Sequence, residues 1–97
     1  MDKIFEALSY KCRRQILTEL KKNGEMTVTQ ILKLVSVSQP TLSSHLAVLR
    51  GASLVNVRIR DRWRYYSLDT EVWRKFIGEL SNFIGSGISE EIKLRKP

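Results

Sequence analysis

Ser38-Gln39-Pro40-Thr41-Leu42-Ser43-Ser44-His45-Leu46-Ala47-Val48-Leu49-Arg50 runs on, a few residues later, into Val55-Asn56-Val57-Arg58-Ile59-Arg60-Asp61-Arg62-Trp63-Arg64-Tyr65-Tyr66-Ser67-Leu68, and the change of period between the two decides the fold. In the first run Leu42, Leu46 and Leu49 recur at helical spacing, Ser38 is placed to cap, and Pro40 falls in the first turn, where its missing N–H costs nothing. In the second run Val55, Val57 and Ile59 alternate with Asn56, Arg58 and Arg60, the period of a strand. If Asp61-Arg62 forms a two-residue turn, Arg60 pairs with Trp63, Arg58 with Tyr65 and Val57 with Tyr66. One face of this hairpin then offers Val55, Val57, Ile59, Tyr66 and Leu68 to a core. The other carries Arg58, Arg60, Trp63 and Tyr65, whose rings support guanidinium groups by cation–π contact worth roughly 0.5–1 kcal/mol where exposed.

Working outward, Val28, Ile31, Leu32 and Val35 predict a helix capped by Thr27, and Ser36-Val37-Ser38 breaks it, so positions 27–50 read as helix, turn, helix. Upstream, Ile4, Phe5 and Leu8 mark one short helix. Ile16, Leu17 and Leu20 mark a second that stops at Asn23-Gly24. Downstream, Val72, Trp73, Phe76, Ile77, Leu80, Phe83 and Ile84 line one side of a last helix, with Arg74, Lys75 and Glu79 opposite and Gly85-Ser86-Gly87 at its end. The expectation is a mainly α protein with a small β-hairpin, in the order ααααββα of a winged helix-turn-helix. One domain spans residues 1–87, and residues 88–97 form a tail or short helix. The wide aromatic stripe on the last helix suits burial against a second copy of the chain.

The chain has 97 residues, 42% of them hydrophobic, and 17 Lys plus Arg against 10 Asp plus Glu give a net charge of +7. This length supports one core. No apolar run approaches the roughly 20 residues of a membrane helix, and Met1-Asp2-Lys3 opens an amphipathic stretch, so a cytoplasmic chain without membrane insertion is expected. Cys12 is the one cysteine and His45 the one histidine, which excludes an internal disulfide and a tetrahedral zinc site built by one chain. There is no paired-carboxylate motif, glycine-rich phosphate loop or Ser-His-Asp set, so no enzyme is expected.

A charge of +7 suits nucleic acid, an anionic membrane or an acidic partner, and its placement discriminates among them. Arg50, Arg58, Arg60, Arg62 and Arg64 stand against Asp61 alone, leaving a net +4 on the hairpin and its approach. Opposite the leucines of the preceding helix lie Pro40, Ser44, Ala47 and Gly51, flanked by Thr41, Ser43 and Val48, small residues that permit close approach to base edges in a major groove. Double-stranded DNA is the expected partner. Gln39 suits a bidentate contact to adenine, Ser38 and the first amides a phosphate, Thr41, Ser43 and Ser44 bases and phosphates, and His45 either packing or a phosphate.

Ala7-Leu8-Ser9, Arg13-Arg14-Gln15-Ile16-Leu17, the run from Ser38 to Arg50, Leu54-Val55 and Arg62-Trp63-Arg64-Tyr65-Tyr66-Ser67-Leu68 together resemble the ArsR/SmtB family of winged helix-turn-helix repressors, over about residues 4–84. The resemblance implies a homodimer joined through its first and last helices, here Ile4, Phe5, Leu8, Trp73, Phe76, Ile77, Leu80, Phe83 and Ile84. It also implies repression at an imperfect palindrome in a promoter.

Many members of the family release DNA when a metal ion binds. Where metal sensors have Cys-Val-Cys, this chain has Thr27-Val28-Thr29, and positions 70–87 hold no His and only Glu71 and Glu79 as carboxylates. No metal or cofactor is therefore expected, and an unidentified protein or small molecule is the expected inducer. Ser53 and Asp61 stand where the family usually has Gly, with Gly51 available as a substitute helix end, and Tyr10-Lys11 where it often has Asp-Pro. Two alternatives remain. One is a winged-helix protein-binding module whose basic wing meets an acidic partner. The other is a metal- or redox-responsive repressor using unfamiliar residues, such as Cys12 beside Lys11, Arg13 and Arg14.

Overall fold

Three side-chain caps and two left-handed glycines set most element boundaries in the computed structural model, which describes residues 1–85. Helix α1 covers Asp2–Leu8 and α2 covers Lys11–Asn23, where Gly24 at φ 77° turns its N–H back onto the Leu20 carbonyl at 2.9 Å. Neither of these helices has a side-chain cap; Tyr10 occupies the α2 cap position without such a bond. The chain then makes a two-residue strand, β1 (Met26–Thr27), and enters α3 (Val28–Leu32) through a full capping box. Gln30 N–H donates to Thr27 Oγ1 at 3.2 Å, and Thr27 N–H donates to Gln30 Oε1 at 2.9 Å. Helix α4 (Gln39–Gly51) begins with Ser38 Oγ accepting the Thr41 N–H at 3.3 Å and carries Pro40 in its first turn. Strands β2 (Val55–Arg60) and β3 (Trp63–Leu68) follow, and α5 (Thr70–Ile84) starts on the Asp69 carboxylate and stops at Gly85.

The core lies where α1–α4 meet the sheet. Ile16, Leu20, Ile31, Leu42, Leu46, Leu49 and Leu54 are fully buried, each stabilising the fold by roughly 1.5–3 kcal/mol relative to exposure. These are the apolar stripes of α2, α3 and α4, as their spacing predicts, with Leu54 added at the entry to β2. The hairpin register is also the expected one, with Arg60 opposite Trp63, Arg58 opposite Tyr65 and Val57 opposite Tyr66. Positive φ at Asp61 (58°) and not at Arg62 gives the sign pattern of a type II′ turn, in which glycine is the usual first residue.

The structure changes three expectations. The sheet has three strands in the order β1-β3-β2, because Met26 and Thr27 pair with Tyr66 and Tyr65 on the far edge of β3. Ile59 is not a core residue: its side chain is 66% exposed, because the hairpin extends past the helices before its tip. Gly51 does not supply the left-handed helix stop either. It is helical, and Ser53 takes the left-handed position at φ 61°, with Ser53 N–H on the Arg50 carbonyl (2.9 Å) and Leu54 N–H on the Leu49 carbonyl (3.0 Å). That bond pair is a Schellman motif with serine in the place glycine usually holds. The expected tail, residues 88–97, and the domain limit at 87 lie outside the described residues.

Candidate nucleic-acid interface

Because Leu42, Leu46 and Leu49 commit one side of α4 to the core, helical geometry turns the small hydroxyl residues outward. Ser38, Gln39, Thr41, Ser43 and Ser44 are all exposed. Two of the expected phosphate-holding groups are partly committed. Pro40 has no N–H, the Thr41 N–H is bonded to Ser38, and Ser38 Oγ donates in turn to Thr41 Oγ1 at 3.0 Å. Across from α4 stands the hairpin. A cleft of about 680 Å³ runs between them, with Ser43, Ala47, Arg50 and Gly51 on the helix side, Arg64 and Tyr66 on the strand side, and Val28 at its base.

The strand period divides the arginines. Arg64 shares the helix-facing side of the hairpin with Tyr66, whereas Arg58 and Arg60 lie on the opposite side with Trp63 and Tyr65. Arg60, Arg62 and Arg64 are exposed. Arg58 is held in a bidentate pair with Glu25, Nη2 to Oε1 at 2.7 Å and Nε to Oε2 at 3.1 Å, and its guanidinium lies 5.9 Å from the Tyr65 ring centre. Hydrogen bonding to the Glu25 carboxylate, and its charge, hold Arg58 even more firmly in the cationic form.

His45 is half-buried on the flank of α4. Its Nδ1 accepts a hydrogen bond from Arg13 Nε at 3.1 Å, and the Tyr10 ring meets it edge-on at 6.2 Å. Burial first, and the Arg13 charge second, lower its pKa from the ordinary value of 6.5. That shift favours the neutral imidazole, and with Nδ1 accepting from Arg13 the neutral form carries its proton on Nε2. Sequence reasoning missed the groups that hold Arg58 and His45. Glu25 precedes a strand too short to show a period, and Arg13 looked like one more surface cation beside Lys11 and Arg14.

The residues expected at a dimer interface divide by burial. Phe76 is buried within the protomer, edge-on to Phe5 at 5.6 Å, and Ile4, Leu8, Trp73 and Leu80 are half-buried. Phe5, Ile77, Phe83 and Ile84 are exposed, Phe83 by 80%. The family's two metal positions do not suit a metal here. Thr27 Oγ1 is buried and spent on the α3 cap, and on α5 Glu71 is paired with Arg74 at 3.0 Å. Among the described residues no three His, Cys, Asp or Glu side chains converge, and no helix is long and apolar enough to cross a membrane.

Residues 11–57 match the arsR family of bacterial regulatory proteins. The chain is 37% identical over 87 residues to the transcriptional repressor SdpR of Bacillus subtilis, an alignment covering 90% of this chain and 96% of that protein. Its fold superposes on an ArsR-like transcriptional regulator from Rhodococcus sp. RHA1 with a TM-score of 0.79, at 25% identity over 96% of this chain and 86% of that one. The transcriptional repressor PagR of Bacillus anthracis gives a TM-score of 0.68 at 26% identity, covering 82% and 91%. The chain thus belongs to the ArsR family, and it is a winged helix-turn-helix, DNA-binding transcriptional repressor, not an enzyme.

Proposed function

We propose that the chain works in the cytoplasm as a homodimer that binds a palindromic operator and represses the promoter carrying it. Residues 1–87 supply the DNA-binding and dimerisation unit. The observation that carries this reading is the cleft between α4 and the hairpin, lined by Ser43 and Arg50 of the helix and by Arg64 and Tyr66 of the strand. A duplex offers both halves of what that surface needs: base edges in a major groove for Gln39, Thr41, Ser43 and Ser44, and a flanking phosphate chain for Arg50, Arg58, Arg60, Arg62 and Arg64. His45 lies beside this surface with Nε2–H as its remaining donor. The dimer is supported by the exposed Phe5, Ile77, Phe83 and Ile84, apolar side chains on α1 and α5 that an isolated protomer leaves in water. The inducer is a protein or small molecule, since the usual metal positions carry a committed threonine and a paired glutamate.

Selection of duplexes by the full chain from a random pool, followed by sedimentation of the complex, tests the proposal. Enrichment of a palindrome with half-sites about 10 base pairs apart, bound by two chains, is expected. Enrichment of unrelated or asymmetric sequences, or a complex with one chain, contradicts it. Arg60→Glu with Arg62→Glu is expected to abolish the enrichment.

A further inference from the structure

Arg13 is 8% exposed, yet among the described residues none of its hydrogen bonds goes to a carboxylate. Its Nε donates to His45 Nδ1 at 3.1 Å, its Nη1 donates to the Glu6 carbonyl at 3.1 Å, and its guanidinium lies 4.3 Å from the Tyr10 ring centre. Burying a cation without an anion is costly, and an apolar side chain of the same length would fill this space more cheaply. What the guanidinium adds is direction. It joins three elements at one point: α1 through Glu6, the α1–α2 connection through Tyr10, and α4 through His45.

Leu42, Leu46 and Leu49 hold α4 to the core by contacts that are strong but tolerant of rotation, because apolar burial has no preferred angle. Hydrogen bonds do have one. His45 lies one turn beyond Thr41 and directly after Ser44, so an α4 fixed at His45 presents those two side chains at a fixed azimuth. Helix α1 carries Phe5, part of the exposed apolar surface assigned above to the partner protomer.

We infer that Arg13 is a positioning residue for operator recognition: through His45 and the Glu6 carbonyl it fixes α4 relative to α1, and so sets the register of the two recognition helices on a palindrome. The inference rests on the proposed dimeric, palindrome-binding function. It predicts that Arg13 matters for the selected operator and not for DNA in general, because non-specific binding comes from exposed arginines that Arg13 does not touch.

The test compares the affinity of the full chain for the selected palindrome with that for a scrambled duplex, in wild type, Arg13→Met, His45→Leu and His45→Asn, with dimerisation followed by sedimentation. Arg13→Met and His45→Leu are expected to weaken palindrome binding about tenfold while scrambled-duplex binding stays unchanged, and to lose the penalty for one base pair inserted between half-sites. His45→Asn keeps an acceptor where Nδ1 stood and is expected to bind close to wild type. An Arg13→Met protein with wild-type preference, or an equal loss on both duplexes, overturns the inference. Equal loss in His45→Asn and His45→Leu overturns the route through Arg13, since the effect would then belong to Nε2. A wild type that does not prefer the palindrome overturns the operator reading itself.

Discussion

Ser53 sits at φ 61°, a conformation that costs an L-residue other than Asn or Asp roughly 1–2 kcal/mol and glycine very little. Ser53→Gly is therefore expected to stabilise the protein by about 0.5–1 kcal/mol, after part of the gain is lost to the freer unfolded chain. Melting at matched protein concentration should show a rise of a few degrees, and a fall would refute the strain. His45 makes the stability depend on pH. Its pKa is lowered in the fold, so between that value and the unfolded value near 6.5 the unfolded chain binds more protons. Stability is then greatest above pH 6.5 and falls as the pH drops through that window, where protonation removes the Nδ1 acceptor and places a cation against Arg13. Denaturant midpoints across this range should fall on acidification less in His45→Asn than in wild type. The serine departure from glycine was legible in the residues, but its outcome was not, because a neighbouring Gly51 offered an alternative that only the hydrogen-bond pattern excludes.

Helix α3 has five residues, too few to persist on their own, and its start depends on the reciprocal Thr27–Gln30 bonds. Thr27→Ala should cost about 1 kcal/mol, read as a lower urea midpoint at unchanged slope, and Thr27→Ser should restore most of it. The hairpin carries a second testable contact, the Glu25–Arg58 pair. Glu25 neutralises Arg58 and lies near the face offered to phosphates, so Glu25→Gln should tighten DNA binding and steepen its salt dependence with little change in stability. Unchanged or weaker binding would place Arg58 outside the interface. The elements with several apolar repeats, α2, α4, β2, β3 and α5, could be read from periodicity, and the Thr27 and Ser38 caps and the hairpin register from the residues at those positions, whereas the Asp69 cap of α5 was missed. Strand β1 could not, because two residues show no period and its pairing with β3 is a tertiary event. Ile59 was misplaced because alternation gives the face of a strand but not how far the strand projects beyond the core.

In the whole molecule, Arg50, Arg60, Arg62 and Arg64 stand exposed at the end of α4 and on the hairpin, while Phe5, Ile77, Phe83 and Ile84 are exposed on α1 and α5. Phe83→Asp changes a side chain that packs little within its own protomer, so the fold should persist while sedimentation shifts from dimer to monomer and operator affinity falls about tenfold or more. A dimer that survives the substitution would move the interface elsewhere. The pattern of small residues and arginines along the chain was enough to propose DNA as partner, and the three-dimensional arrangement adds that Ser43, Ala47, Arg50 and Arg64 line one cleft. The most direct measurement of this claim is fluorescence anisotropy of the selected palindrome over a series of salt concentrations. A log–log slope steeper than about −4 is predicted, with a smaller slope for Arg60→Glu, since each neutralised phosphate contributes about −0.9. An affinity that stays flat up to physiological ionic strength would contradict it.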